Sequence, residues 1–211
     1  SPPPGRIGGG SRILFEGTDL TSAGQETRRG VRGGRIGMVF QNAATSLNPV
    51  LSVGAQIRET VLAHHRLTGR EARDRAVALL AETGMPDPAR RYGAFPHELS
   101  GGQKQRALIA IALAGEPSLL IADEPTTALD VTVQAQILEL IDRLRERRGM
   151  AVLLVTHDLG IVARRADRVV VMLAGRIVEE APTRDLFTRP AHEYTRALLG
   201  AVPRLTGARL S

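Results

Sequence analysis

Two carboxylates follow directly after a short apolar run in the middle of the chain. Residues 119–122 are apolar enough for one buried strand, and Asp123 and Glu124 come next. Ligands of open parallel sheets bind beyond the carboxyl ends of the strands. An acid at this place suits Mg²⁺ held through oxygen or water, which is the role predicted for Asp123, and Glu124 is placed to polarise a water molecule. A solvated acidic turn before Pro125 is the alternative at this point.

A serine and two glycines stand directly before a helical pattern that begins near Gln103. Ser100, Gly101 and Gly102 form this approach. Glycines let a backbone come close to a ligand, and the first N–H groups of a helix point outward at the positive end of its dipole. The segment therefore predicts a phosphate-binding site. An ordinary serine N-cap beside a flexible turn is the competing interpretation.

Two further polar side chains also follow predicted strands. His157 comes just after the apolar run 151–155, and Gln41 directly follows the strand predicted at 35–40. A lone histidine is usually structural, but this one falls on the same predicted sheet edge as Glu124. Polar groups that meet at one edge predict a convergent site.

Composition limits the classes of protein that are possible. The chain has 211 residues, of which 43% are hydrophobic and 24% charged, which is ordinary for a globular protein. It has no cysteine, which excludes disulfides, thiolate metal sites and cysteine nucleophiles. The net charge is +6, but the arginines are scattered among acids and aromatics make up only 3%, so nucleic acid is not expected as a partner. No apolar run approaches the roughly 18–20 residues that span a bilayer.

Alternating strands and helices predict an α/β fold. Continuously apolar strands joined by helices indicate a parallel sheet covered on both faces. Ala174 and Gly175 are expected to turn one strand back into a hairpin. Residues 17–34 are polar and glycine-rich, and no element is predicted there. The predicted strands are 11–16, 35–40, 119–122, 151–155, 168–173 and 176–180, and the predicted helices are 53–65, 70–83, 103–114, 131–147, 159–165, 182–187 and 192–199.

Taken together, these segments resemble the nucleotide-binding subunits of ATP-binding cassette (ABC) transporters. LSGGQ at 99–103 is similar to the family signature, and LLIADE at 119–124 to its Walker B strand. Ala128, Leu129 and Asp130 resemble the D-loop, His157 the switch histidine and Gln41 the Q-loop glutamine. The motifs run in the family order over nearly the whole chain. Three stretches resemble the peptide/nickel (oligopeptide and dipeptide) importer ATPases more closely: TSLNP at 45–49, DEPTTALDVTVQAQILELI at 123–141 and PAHEYTRALL at 190–199.

The resemblance implies a P-loop NTPase (RecA-like) ABC ATPase core with a mainly parallel sheet and a helical subdomain. The expected organisation is a remainder of the N-terminal core (1–41), the helical subdomain (42–99), the core with signature, Walker B, D-loop and switch histidine (100–181), and a helical tail (182–211). In the family, two such domains face each other and each ATP lies between them.

The resemblance also implies roles for individual residues. Asp123 and Gln41 help to hold Mg²⁺, and Glu124 polarises the water that attacks ATP. His157 contacts the γ-phosphate and links it to Glu124. The backbone and side chains of the signature contact the ATP of the partner subunit, and Asp130 lies at the interface between the subunits. The signature residues with this role are Ser100, Gly101, Gly102 and Gln103.

The expected function is to energise an importer for peptides or a related small solute, nickel included, from the cytoplasmic face of the membrane. The partners implied are a second ATPase subunit, identical or related, and two membrane permease subunits. The permeases are expected to dock on the helical lobe, above all on residues 42–56. An extracytoplasmic solute-binding protein would act indirectly.

One departure from the family pattern is large, because the phosphate loop GxxxxGK[ST] is absent from the 211 residues. The one lysine, Lys104, follows the signature and has no glycine cradle, and residues 8–11 are read as a turn. The chain is therefore expected to lack N-terminal strands and the phosphate loop, to bind ATP weakly and to be poorly soluble. Two alternatives are a non-transport ABC ATPase, which the compact lobe between Gln41 and Ser100 disfavours, and a catalytically dead interaction fragment.

Overall fold

The computed structural model describes residues 10–41, 46–127 and 129–201. Sequence features at the remaining positions, which include Thr45 of TSLNP and Ala128 of the predicted D-loop, lie outside the described residues. The described part of the chain forms two compact units that divide between Val155 and Thr156. Within it, no helix combines the length and apolar character needed to cross a bilayer.

The first unit contains a short hairpin, a parallel sheet and a group of helices. In chain order its elements are β1 (Leu14–Phe15), β2 (Thr18–Asp19), α1 (Gln25–Val31), β3 (Ile36–Val39), α2 (Val53–His64), α3 (Gly69–Glu82), α4 (Pro88–Arg91), a 3₁₀ turn (Pro96–Glu98), α5 (Gly101–Ala112), β4 (Leu119–Asp123), α6 (Val131–Arg148) and β5 (Ala151–Val155).

Three parallel strands form the sheet of the first unit, in the order β3–β4–β5. The register aligns Val39 with Ala122 and Asp123 with Val155, so the carboxyl ends of the strands share one edge. At Gly37 a Cβ atom would lie 2.4 Å from the carbonyl oxygen of Ala112, so only glycine lets β3 approach α5 this closely.

The core of this unit lies between one face of the sheet and the helices α2, α3, α5 and α6. The apolar positions of these helices recur at the helical period, which places them on one face each. The sheet and each of these helices contribute fully buried side chains, among them Ile57, Leu79, Ile109, Leu120, Ile137 and Leu144. Polar N-cap residues precede α2 and α3, where the helical pattern of apolar residues begins. The Ser52 side chain accepts from Ala55 N at the start of α2, and Thr68 and Glu71 form a capping box at the start of α3.

The second unit contains three helices and an antiparallel hairpin. Its elements are α7 (Leu159–Arg165), β6 (Arg168–Leu173), β7 (Arg176–Pro182), α8 (Thr183–Thr188) and α9 (Glu193–Gly200). Ala174 and Gly175 both have positive φ, 49° and 77°, as a type I′ turn requires, which confirms the predicted hairpin.

Three expectations from the sequence differ from the structure. The strand expected at 11–16 is confined to Leu14–Phe15 and turns back at Gly17 into β2, and helix α1 lies in the stretch where no element was expected. Among the described residues of the first unit, helices pack on one face of the sheet. On its other face Met38, Leu153 and Val155 are 40%, 52% and 45% exposed. Continuous apolar runs predicted burial of both faces, whereas the described helices of this unit bury one of them.

Candidate active site

Glu124 sits at a sharp turn where β4 ends. Its φ is +44°, in the left-handed region that side chains other than glycine rarely adopt. Its backbone N–H still donates to Val155 O at 2.9 Å, and its carbonyl accepts from Thr127 N at 3.2 Å. Strained backbone of this kind collects at functional sites, where surrounding contacts hold it in place. The turn directs the half-buried side chain out of the strand.

Gln41 meets Glu124 across the end of the sheet. The Gln41 side-chain amide donates to Glu124 Oε2 at 2.7 Å, although the two residues are far apart in sequence. The contact follows from the parallel register, because β3 and β4 run side by side and end at the same edge. The expected convergence of these two residues is therefore present in the structure.

Thr127 completes this cluster, and the sequence reasoning missed it. Its hydroxyl donates to the same carboxylate oxygen, Glu124 Oε2, at 2.9 Å. A hydroxyl three residues after an acid, inside a turn that contains Pro125, is the signal that could have found it. Two donors on one oxygen fix the orientation of the Glu124 carboxylate.

Asp123 lies on the same strand end and is half-buried. In the described residues, no three or more His, Asp or Glu side chains are grouped so as to hold a metal ion. Mg²⁺ is usually bound through one or two carboxylates, with substrate phosphates and water completing its shell. The carboxylate of Asp123 and the amide oxygen of Gln41 are oxygen donors of the type this ion prefers, so these residues suit a Mg²⁺ site completed by a nucleotide.

The signature segment begins α5 with a capping box. Ser100 Oγ accepts from Gln103 N at 3.3 Å, and Gln103 Oε1 accepts from Ser100 N at 3.2 Å. The competing interpretation of Ser100 as an N-cap is thus realised in the fold. The cap satisfies the N–H of Gln103 and leaves those of Gly101 and Gly102 as the first helix donors without an intrahelical acceptor. These amides keep the geometry of an anion site.

Gly102 brings the start of α5 against the start of α6. A Cβ atom at Gly102 would lie 2.7 Å from Val133 Cγ1, and one at Gly101 would lie 3.3 Å from Leu129 Cδ2. Asp130 caps α6, since its Oδ1 accepts from Val133 N at 2.9 Å. Two helix N-termini therefore lie close together, and their dipoles add to a positive potential. The interface role of Asp130 stays a prediction.

His157 belongs to the second unit and lies two residues after the end of β5. It is exposed. Two residues of the same segment shape the start of α7: Thr156 Oγ1 accepts from Asp158 N at 3.0 Å, and Asp158 Oδ1 accepts from Gly160 N at 2.8 Å. The role predicted for His157 stays a prediction.

Comparison with known sequences identifies two family regions in the chain. The profile described as ABC transporter matches residues 6–127, and the profile described as oligopeptide/dipeptide transporter, C-terminal region, matches residues 178–210. The first match covers more than half of the chain and contains Gln41, the signature and the acidic pair.

Curated relatives carry names from peptide transport. A probable peptide ABC transporter ATP-binding protein, y4tR of Sinorhizobium fredii, is 55% identical over 92% of this chain and 58% of its own length. A putative peptide import ATP-binding protein of Brucella abortus is 53% identical over 95% of this chain and 60% of its own. The dipeptide transport ATP-binding protein DppD of Bacillus subtilis is 50% identical, with the same two shares. The chain spans about three fifths of the length of the curated relatives it matches.

Solved structures with the same fold are ATP-binding cassettes. A dimeric structure of the cassette MJ0796 in a post-hydrolysis state, bound to ADP and Pi, superposes with a TM-score of 0.72 at 30% identity, over 82% of this chain and 73% of that chain. A second dimeric structure of MJ0796 matches over the same shares with the same TM-score at 31% identity. The cassette fold, the ordered motifs and the C-terminal region together show that this chain belongs to the ABC transporter family, as an ATP-binding domain with the oligopeptide/dipeptide transporter C-terminal region.

Proposed function

We propose that the chain is the ATP-binding and ATP-hydrolysing component of an importer for peptides or a related small solute, nickel included. The hydrogen bond from Gln41 to Glu124 carries this proposal, because it joins the Q-loop residue to the acid that would act on water. The peptide-import names of the relatives support the cargo class.

The reaction is hydrolysis of the β–γ phosphoanhydride bond of ATP. Water attacks the γ-phosphorus, the bond to the bridging oxygen breaks, ADP and phosphate leave, and Glu124 accepts a proton from the water. Gln41 and Thr127 hold one oxygen of the Glu124 carboxylate, so the carboxylate is oriented before ATP arrives. Preorganisation of this kind lowers the barrier because little reorganisation remains for the reaction itself.

Asp123 and Gln41 would hold Mg²⁺, which neutralises charge on the phosphate oxygens. The free N–H groups of Gly101 and Gly102, with the Ser100 hydroxyl and Gln103, would contact the γ-phosphate of ATP carried by the partner subunit. The dimeric state named for the MJ0796 structures supports a two-subunit arrangement of this kind. Asp130 would lie at that interface, and His157 keeps the role that the family resemblance assigns to it.

The permease partner would dock on the start of the helical lobe. Residues 48–51 form a loop just before α2, and Gln56 holds this loop in place. The Gln56 side chain accepts from Asn48 N at 2.9 Å and donates to Asn48 O and to Leu51 O, each at 3.1 Å. The loop so held presents Val50, which is 76% exposed. A rigid loop with an exposed apolar tip suits contact with a cytoplasmic segment of a membrane subunit. The chain would then act at the cytoplasmic face of the membrane.

Uptake by cells tests the proposal. Deletion of the gene is expected to reduce uptake of labelled di- and tripeptides, or of radioactive nickel in the case of that cargo. A copy of the gene should restore uptake, whereas Glu124→Gln should not, because an amide cannot accept the proton. Glu139→Gln, an exposed residue on α6, is the matched control and should restore it. Unchanged uptake of both cargo classes after deletion contradicts the proposal.

Weak nucleotide binding by the 211-residue chain alone is a separate part of the proposal. The motif GxxxxGK[ST], which supplies most phosphate contacts in P-loop proteins, is not among these residues. Equilibrium dialysis with Mg-ATP is expected to give only weak binding. Tight binding at a stoichiometric site would contradict this part of the proposal and leave the family assignment unaffected.

A further inference from the structure

An open cavity of about 760 Å³ lies between α1 and the C-terminal end of α2, away from the residues discussed above. Its volume is within the range of about 300–1,000 Å³ typical of ligand sites. We call it the α1–α2 pocket. Its wall carries several cationic side chains: Arg28, Arg29 and Arg32 line it together with His64, and Glu26 is the one carboxylate among the lining residues.

The three arginines have no acidic partner in the part of the chain that the structure describes. The ion pairs nearest in sequence, Arg12–Asp19 and Arg35–Glu16, leave them out. Guanidinium groups that share a cavity repel one another, and one carboxylate offsets only part of that charge. An anion in the cavity would remove the repulsion.

Arg28 has a buried hydrogen-bond donor that lacks an acceptor among the described residues. Its Nε atom is buried and has no hydrogen-bond partner among the residues that the structure describes. A buried donor without an acceptor destabilises the fold, and more so when the group is charged. A planar guanidinium fork matches the oxygens of a phosphate group, often through two parallel hydrogen bonds.

The wall that α2 contributes, which contains His64, is held against α1 by close packing. A Cβ atom at Gly33 would lie 2.8 Å from His64 Nε2, and one at Gly34 would lie 2.3 Å from the carbonyl oxygen of Gly30, so the turn after α1 holds the helix and the His64 ring together. Burial, and then the neighbouring charges of His65 and Arg29, lower the pKa of His64. The ring is therefore neutral at pH 7 and offers one N–H donor.

We propose that the α1–α2 pocket binds a phosphate-bearing anion through Arg28, Arg29, Arg32 and His64. The ligand chemistry is that of a terminal phosphate or diphosphate, which either a soluble anion or the headgroup of an anionic lipid provides. The site is independent of the proposed ATP hydrolysis, since none of its residues lies at the sheet edge that carries Gln41 and Glu124.

The test is calorimetric titration of the 211-residue chain with inorganic pyrophosphate, without ATP. One pyrophosphate per chain is expected, and the double variant Arg28→Gln/Arg29→Gln should weaken binding roughly tenfold or more, because it removes two charge-assisted contacts. The control Arg70→Gln/Arg90→Gln removes the same charge from exposed positions elsewhere and should bind as the original chain does. No binding, or equal weakening in both double variants, overturns the proposal.

Two further measurements keep the result decisive. Arg32→Gln changes an exposed side chain, so it serves if the double variant fails to fold, and unchanged affinity in it overturns the proposal. Flotation with phosphatidylcholine vesicles, with and without phosphatidic acid, separates the two sources. Binding to the acidic vesicles that Arg28→Gln/Arg29→Gln abolishes supports a lipid headgroup, and binding of pyrophosphate alone supports a soluble anion. Binding of neither contradicts the site.

Discussion

The two faces of the three-stranded sheet differ sharply in burial, although their composition is alike. On the helix-covered face, Val39, Leu120 and Ala122 are at most 1% exposed. On the other face, Met38 and Leu153 pair with Ile121 in one row and are about half exposed. The difference shows that an apolar strand sequence makes burial favourable, whereas the elements that pack against the strand determine whether burial occurs.

The largest expected effect compares one leucine on each face. Leu120→Ala removes a fully buried side chain and should lower the free energy of unfolding by about 2–5 kcal/mol, because it leaves a cavity among packed helices. Leu153→Ala on the exposed face should lower it by less than about 1 kcal/mol. Urea unfolding of both variants measures the contrast, and similar losses would mean that the second face is packed as well.

A smaller effect concerns the ion pair that links two helices of the covered side. Glu82 on α3 accepts two hydrogen bonds from Arg148 at the end of α6, and both side chains are largely buried. Glu82→Gln should lower the free energy of unfolding by about 1–3 kcal/mol, because a largely buried guanidinium loses its charged partner. Glu180→Gln breaks the exposed pair with Arg168 and should cost less than about 1 kcal/mol.

The same pair predicts a pH dependence. The hydrogen bond with Arg148 holds the pKa of Glu82 below its ordinary value of 4.5. A carboxyl with a lower pKa in the folded chain contributes stability that is complete above the ordinary value and is lost as the pH falls through the lowered one. Unfolding midpoints measured below pH 4.5 should therefore fall more steeply in the original chain than in Glu82→Gln. Parallel curves would contradict this.

The smallest change in stability is expected on the exposed face itself. Met38→Thr/Leu153→Thr keeps residues that favour strands but removes apolar surface that promotes association. The soluble fraction at a given protein concentration should rise, with a change in unfolding free energy below about 1 kcal/mol. Light scattering and urea unfolding check the two parts, and unchanged scattering would show that this face does not drive association.

Sequence patterns correctly predicted those elements in which the local residue pattern and the packing of the fold favour the same structure. The apolar run before Asp123 is a strand, Ala174 and Gly175 make the expected turn, and Gln41 meets Glu124 because parallel register brings the strand ends together. The family motifs predicted the cassette fold, and the comparisons confirm this prediction.

The remaining features depend on packing that a linear pattern does not encode. Helix α1 buries none of its residues, so no apolar period marks it. The Thr127 contact depends on the left-handed turn at Glu124, and the α1–α2 pocket depends on two helices that are distant in sequence. The exposure of Leu153 depends on which helices lie nearby, which the strand sequence does not specify.

The central claim is that the LSGGQ segment serves a nucleotide held by a facing subunit. Its most direct test is ATP turnover by a complex of this chain with an ATPase subunit that carries GxxxxGK[ST]. Ser100→Arg places a bulky cation where the phosphate would lie, and turnover is expected to fall roughly tenfold or more. Ser22→Arg, at an exposed serine of the same unit, should leave it unchanged. Full turnover in the Ser100→Arg complex would contradict the account.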